Sequence, residues 1–324
     1  MKIALLINRD NFYNFSKWED TGWDMIHMGS GEPDVDKIIA TGANVIIVNA
    51  ITRVGPEIIN NMPELKLIHS IGVGFNAIDL DCARKAGVYV CNNPGANSKS
   101  VAEHAVMLML TVLKCFRYNE DMVSTNRQAE AKTYYQINGL PGLSGLKVGI
   151  VGFGAIGREL AAMLNPFGCE LFYYSRRKTG SDLDYVTYLP LEELYSKCDI
   201  ISLNVPAQPE TENMINSGTL KKFKRGAILI NTARGDLMDQ KAVADALISG
   251  QLGGFGADTL SPEPFTQDNP LIGGLPEDVR RRVALSPHIA GITSELYVRA
   301  YSLIRNNAEA ILRGGRPECI VNGL

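Results

Sequence analysis

An apolar run, residues 147–151, leads straight into Gly152-Phe153-Gly154-Ala155-Ile156-Gly157, and residues 158–164 then carry a helical pattern. Gly152 permits a tight turn, Gly154 lets the backbone approach a bulky anion, and Gly157 lets the helix lie close to the strand. Backbone N–H groups at the helix start, around Ala155 and Ile156, then face that anion. The competing reading is a glycine-rich turn without a ligand. A strand before it and a helix after it favour a dinucleotide site.

The rest of the chain repeats the same alternation. Short β-rich runs fall at 2–8, 44–49, 65–70 and 88–91, and again at 147–151, 169–174, 200–204, 227–231, 254–258 and 283–286, with helix-like stretches between them. This pattern implies α/β architecture with open, doubly wound parallel sheets covered by helices. At 324 residues the chain has room for two such domains. A turn-rich loop, Asn92-Asn93-Pro94-Gly95-Ala96-Asn97, marks a seam near residue 98, and an apolar helix is expected over 100–113, with Val101, Ala105, Leu108 and Met109 on one face. The polar stretch 117–136 reads as an arm that pairs two subunits or as a surface excursion. The tail, 294–313, has helical periodicity and can return to the first domain.

Charge and cysteines narrow the classes. A formal net charge of −3 leaves no basic excess to neutralise phosphates, so no nucleic-acid partner is expected. The opening MKIALLIN is a first strand and not a leader or a membrane span, because Arg9 and Asp10 end its short apolar run. The six cysteines show no CxxC spacing, which favours reduced thiols in a cytoplasmic protein over a disulfide framework or a metal site.

The end of the strand after the glycine loop refines the ligand. Tyr174 is followed by Ser175-Arg176-Arg177-Lys178, about where the ribose selector of a dinucleotide fold belongs. A carboxylate there would repel a 2′-phosphate, whereas a hydroxyl and two guanidiniums bind one through charge-assisted bonds. Ser175, Arg176 and Arg177 therefore favour NADP(H), with NAD(H) still open; a solvated basic turn is the bland alternative.

Three further segments end strands: Asn231-Thr232-Ala233-Arg234-Gly235, Asp258-Thr259 with Ser261-Pro262-Glu263-Pro264 after it, and Ser286-Pro287-His288-Ile289-Ala290-Gly291. In a parallel sheet all strand C-termini share one edge, so Arg234, Glu263 and His288 can converge there. His27, His69 and His104 lack such context and read as packing or surface residues.

With these segments, the loop Gly72-Val73-Gly74-Phe75-Asn76 and the stretch Val101-Ala102-Glu103-His104, the chain resembles the D-isomer-specific 2-hydroxyacid dehydrogenases over essentially its whole length, in the manner of the glyoxylate and hydroxypyruvate reductases. The resemblance implies a flavodoxin-like catalytic domain at 1–98 plus 294–324 and a Rossmann dinucleotide-binding domain at 99–293. It also implies a homodimer acting on a small 2-keto or D-2-hydroxy acid. Arg234 would grip the substrate carboxylate and polarise the keto oxygen. His288 would exchange a proton with that oxygen, with Glu263 hydrogen-bonded to it and favouring its charged form. Backbone N–H groups of Val73 and Gly74 would bind the carboxylate. Asp258 would orient the nicotinamide carboxamide, Val205, Pro206 and Thr211 would line the adenosine and ribose side, and Thr232, Ala233 and Gly291 would complete the cofactor site. Ser175 departs from the acidic ribose ligand usual in the family. The absence of an appended regulatory domain speaks against the elaborate phosphoglycerate dehydrogenases. A phosphite- or formate-type dehydrogenase and a corepressor-like, dinucleotide-gated binding protein are the rival readings.

Overall fold

In the computed structural model, which describes residues 1–18, 20–31, 34–176 and 183–324, the β-branched run Val45–Val48 is buried along its whole length. A run apolar on both faces needs helices above and below it, the signature of a parallel sheet. The chain divides into two compact units, Met1–Asn97 with Ile292–Leu324, and Ser98–Gly291.

The first unit holds β1 (Lys2–Leu6), β2 (Asp24–His27), β3 (Val45–Val48), β4 (Leu67–Ser70) and β5 (Tyr89–Cys91). They pair in parallel in the order β2-β1-β3-β4-β5, the flavodoxin-like arrangement. Alternate side chains build two cores, with Ala4, Leu6, Ile46 and Val48 on one face and Ile3, Leu5, Val45 and Ile47 on the other. The helix Ser294–Leu312 closes the second face with a stripe of Ala300, Tyr301, Ile304 and Ala308. Its start is capped by the Thr293 hydroxyl, which accepts from Leu296 N–H at 3.2 Å.

The second unit holds β6 (Lys147–Val151), β7 (Glu170–Tyr174), β8 (Val186–Tyr188), β9 (Ile200–Leu203), β10 (Ala227–Asn231), β11 (Leu252–Ala257) and β12 (Val283–Leu285). All pair in parallel, in the order β12-β11-β10-β9-β6-β7-β8. That is the doubly wound Rossmann order extended by one strand. The helix Ser98–Leu113 packs Ala105, Leu108, Met109 and Val112 against one face of this sheet. Two further helices, Phe116–Ser124 and Gln128–Asn138, occupy the polar stretch after it. Among the described residues no helix is long and apolar enough to cross a membrane.

Candidate active site

Because every strand of the second sheet runs the same way, the glycine loop, the Ser175 turn and the segments carrying Arg234, Glu263 and His288 all leave one edge. From β6 the order proceeds outward through β7 on one side and β9 on the other, and an open α/β sheet leaves its binding crevice at such a switch point.

Gly152 takes φ +97°, and a Cβ there would lie 2.5 Å from the Asn204 carbonyl oxygen. A side chain at Gly157 would run into the Gly152 carbonyl, so helix and loop touch backbone to backbone. Gly154 differs: a Cβ there would meet nothing within 4 Å. It caps the helix Ala155–Leu164 without a side-chain hydrogen bond, leaving the first N–H groups, at Ala155 and Ile156, open to an anion. Gly152 N–H donates to Tyr174 O at 2.9 Å, which ties the loop to the half-buried Ser175 and exposed Arg176. Arg177 lies outside the described residues.

Three buried side-chain oxygens at the neighbouring strand ends, Asn204 Oδ1, Thr232 Oγ1 and Thr259 Oγ1, have no hydrogen-bond partner among the described residues. Buried polar atoms are almost always satisfied, so orphans gathered at one sheet edge mark where a ligand's polar groups fit. With the open cradle at Gly154, these residues suit a dinucleotide. Val205 is half-buried and Pro206 exposed beside them. The Thr211 hydroxyl is committed to its own loop, donating to Pro206 O at 2.7 Å and accepting from Gln208 N–H at 2.9 Å.

At the end of β10, fully buried Asn231 fixes the next turn. Its Oδ1 accepts from Ala233 N–H at 3.0 Å and its Nδ2 donates to Arg234 O at 2.8 Å. The Arg234 side chain is exposed, with its guanidinium donating to Ala233 O at 2.6 Å. A side chain at Gly235 would collide with the backbone of Leu260 and Ser261, so only glycine lets this turn lie against the segment that carries Glu263.

His288 Nδ1 and Glu263 Oε2 are 2.8 Å apart, with the two side chains 42% and 41% exposed. An ionised carboxylate can only accept, so Nδ1 carries the proton and Nε2 is left for other chemistry. His288 has φ +58°, in the left-handed region that few residues other than glycine adopt. Asp258 holds it there. The Asp258 carbonyl accepts from His288 N–H at 2.8 Å. Its carboxylate accepts from Ile289 N–H at 3.0 Å, Ala290 N–H at 2.8 Å and the Ser286 hydroxyl at 2.6 Å. At 1% exposure this carboxylate is foremost the anchor of the His288 loop, a role the sequence reading did not give it.

The same reading took His104 for a packing or surface residue. Its Nε2 lies 2.7 Å from Ser286 Oγ and 3.5 Å from Asp258 Oδ1. Burial lowers its pKa from the ordinary value, and the Asp258 carboxylate opposes that shift. The available signal was a polar residue three positions after Val101, on the apolar stripe of its helix.

In the first unit, the loop after β4 is held by its carbonyls. Ser70 Oγ donates to Gly74 O at 2.6 Å, Asn92 Nδ2 to Val73 O at 2.7 Å, and Asn93 N–H to Gly72 O at 3.0 Å. No group among the described residues accepts from the N–H of Val73 or Gly74. Two adjacent free donors on a fixed loop suit a carboxylate.

Fold and site together define a dinucleotide-dependent oxidoreductase of two α/β units. The chain belongs to the D-isomer-specific 2-hydroxyacid dehydrogenase family: residues 106–290 match the family described as D-isomer specific 2-hydroxyacid dehydrogenase, NAD binding domain. It is 32% identical to the glyoxylate reductase of Thermococcus litoralis, over 97% of this chain and 92% of that one. It is also 32% identical to the chloroplastic/mitochondrial formate dehydrogenase of Arabidopsis thaliana, over 87% of this chain and 71% of the relative. The structure of D-2-hydroxyisocaproate dehydrogenase superposes with a TM-score of 0.87 at 26% identity, covering all of both chains. The protein is thus an NAD(P)-dependent D-2-hydroxyacid dehydrogenase.

Proposed function

We propose that the protein reduces small 2-keto acids to D-2-hydroxy acids, with NADPH the preferred hydride donor. The observation that carries this reading is the 2.8 Å pair of Glu263 with His288 at the carboxyl edge of the Rossmann sheet. A carbonyl that takes up hydride needs a proton on its oxygen, and His288 Nε2 is the group left to give it. Arg234, a permanent cation on the turn after β10, would bind the substrate carboxylate and polarise the keto oxygen. Glu263 would steady the imidazolium before it gives up its proton. In the first unit, the N–H groups of Val73 and Gly74 are two donors that suit a carboxylate.

The glycine loop would hold the cofactor pyrophosphate, with Thr232, Ala233, Val205, Pro206, Thr211 and Gly291 around it; the bound nicotinamide supplies the hydride. Among the described residues Asp258 Oδ2 accepts from Ala290 N–H alone and keeps a lone pair for the carboxamide. Ser175 and Arg176, with Arg177 beyond them, favour a 2′-phosphate over a bare ribose. Formate oxidation, the activity in one relative's name, is the second reading. Formate has no keto oxygen, so the Glu–His pair would have no proton to place there.

The helix Gln128–Asn138 supports a homodimer. Only Ala131 and Tyr135 are half-buried and its other residues are exposed, Ile137 by 76%. An 11-residue helix without a buried face is marginal alone. We assign the second copy of this chain as its cover, in a cytoplasmic enzyme.

The test is loss of absorbance from NADPH or NADH with a panel of glyoxylate, hydroxypyruvate, pyruvate and bulkier 2-keto acids. At least one keto acid should be turned over, with kcat/KM for NADPH exceeding that for NADH by about tenfold or more. Activity with formate alone would overturn the reading. Equal use of both cofactors would reduce Ser175-Arg176-Arg177 to a surface turn.

A further inference from the structure

The helix Ser98–Leu113 lies directly on β11, where a side chain at Gly254 would collide with Val112 and one at Gly256 would crowd Leu108. This approach delivers His104 to the carboxyl ends of β11 and β12. There His104 Nε2, Ser286 Oγ and Asp258 Oδ1 form a chain with links of 2.7 and 2.6 Å. The protons on it have one consistent order. Ionised Asp258 can only accept, so the Ser286 hydroxyl donates to it; His104 must then carry a proton on Nε2 and donate to Ser286 Oγ. Beyond the chain, Asp258 also accepts the Ile289 and Ala290 N–H groups on the far side of His288.

We propose that His104 is a positioning residue for proton transfer, acting through Ser286 and Asp258 to set the place of His288. The inference rests on the reading of His288 as the proton donor. Without the Nε2–H donor, the Ser286 hydroxyl is no longer polarised by His104, and its bond to Asp258 weakens. The carboxylate, 1% exposed, is then held less firmly by a donor that solvent cannot replace. The bonds from Asp258 are what hold His288 at φ +58°, so the loop relaxes when they weaken. A misplacement of about 1 Å at a reacting group costs about 10²-fold in rate. Packing alone makes a different demand, since any side chain that fills the space would serve. Phenylalanine has nearly the shape of histidine and no N–H, whereas glutamine can put an N–H close to the Nε2 position.

The experiment compares the full-length wild type with His104→Phe, His104→Gln, Ser286→Ala and the double variant His104→Phe/Ser286→Ala. Steady-state kinetics are measured with the best 2-keto acid, NADPH affinity by fluorescence titration, and folding by thermal melting. His104→Phe should lose about 10²-fold in kcat, with NADPH affinity within about threefold of wild type. His104→Gln should recover most of that loss. The double variant should be no slower than Ser286→Ala, because both changes cut one chain. If His104→Phe does not fold, Ser286→Ala breaks the same link from the other end. A His104→Phe enzyme with wild-type kcat overturns the proposal, as do equal losses in the Phe and Gln variants or losses that multiply in the double variant. A second arm needs no substrate: in ¹⁵N-histidine spectra of the free protein, His288 resonances should move in His104→Phe and stay in place in His104→Gln. Unmoved resonances in both overturn this inference, whereas a wild type inactive on every keto acid overturns the functional reading alone.

Discussion

His288 and Glu263 face each other across 2.8 Å while both remain about two-fifths exposed, so their pairing contributes little to stability and is available to a substrate. Substituting them should therefore separate chemistry from folding. His288→Asn should lower kcat by about 10³-fold while leaving the melting temperature and NADPH affinity at wild-type values. Glu263→Gln keeps an acceptor for Nδ1–H but removes the charge, and should lose about tenfold. Near-normal turnover by His288→Asn would remove the proton-transfer assignment. Glu263 and His288 were legible because each follows a strand in a parallel sheet, where chain order alone puts them on one edge. Asp258 was read as a cofactor ligand and not as an anchor. Its hydrogen bonds to Ile289 and Ala290 depend on a left-handed turn at His288 that no residue preference announces. His104 lay hidden for a related reason: a polar residue on an apolar helix stripe says that it has a partner, but not that the partner is Ser286, 182 positions away.

At the level of elements, the strands that read clearly are those buried on both faces, such as Val45–Val48 and Ala227–Asn231. Two strands were not read. β2 (Asp24–His27) and β8 (Val186–Tyr188) lie at sheet edges, with no residue of β2 and only Val186 of β8 fully buried, so neither presents a continuous apolar run. The helix Ser294–Leu312 was expected from its periodicity, but its polar tether was not. Asn307 Nδ2 donates to His69 Nε2 at 3.0 Å and to Glu318 O at 3.1 Å, and Asn307 Oδ1 accepts from Glu318 N–H at 2.7 Å. On its other side His69 Nδ1 donates to Ser70 O at 2.9 Å. Burial pushes His69 down to about 4, against an ordinary value of 6.5. The native state thus holds this ring neutral where the unfolded chain would take up a proton. Its contribution to stability is complete above about pH 6.5 and is lost as pH falls towards 4, up to about 3 kcal/mol. The melting temperature of the wild type should fall across that window, and His69→Gln, which lacks the titration, should fall less steeply. Parallel curves for the two proteins would remove His69 from the acid response.

For the whole molecule, the exposed apolar side chains of the helical pair Phe116–Ser124 and Gln128–Asn138 set the expected assembly. Sedimentation at micromolar concentration should give a dimer, and Tyr134→Glu with Ile137→Glu should shift it to monomer; a monomeric wild type would contradict the pairing. The central claim, however, is chemical: hydride goes to C2 of a keto acid, and His288 supplies the proton to its oxygen. The most direct measurement follows the atoms, by reducing hydroxypyruvate or pyruvate with NADPH carrying deuterium at both C4 positions and analysing the product by mass spectrometry and chiral chromatography. The account predicts one deuterium on C2 of the D-hydroxy acid, with the hydroxyl proton drawn from solvent. A product without deuterium at C2, or one of L configuration, would contradict it.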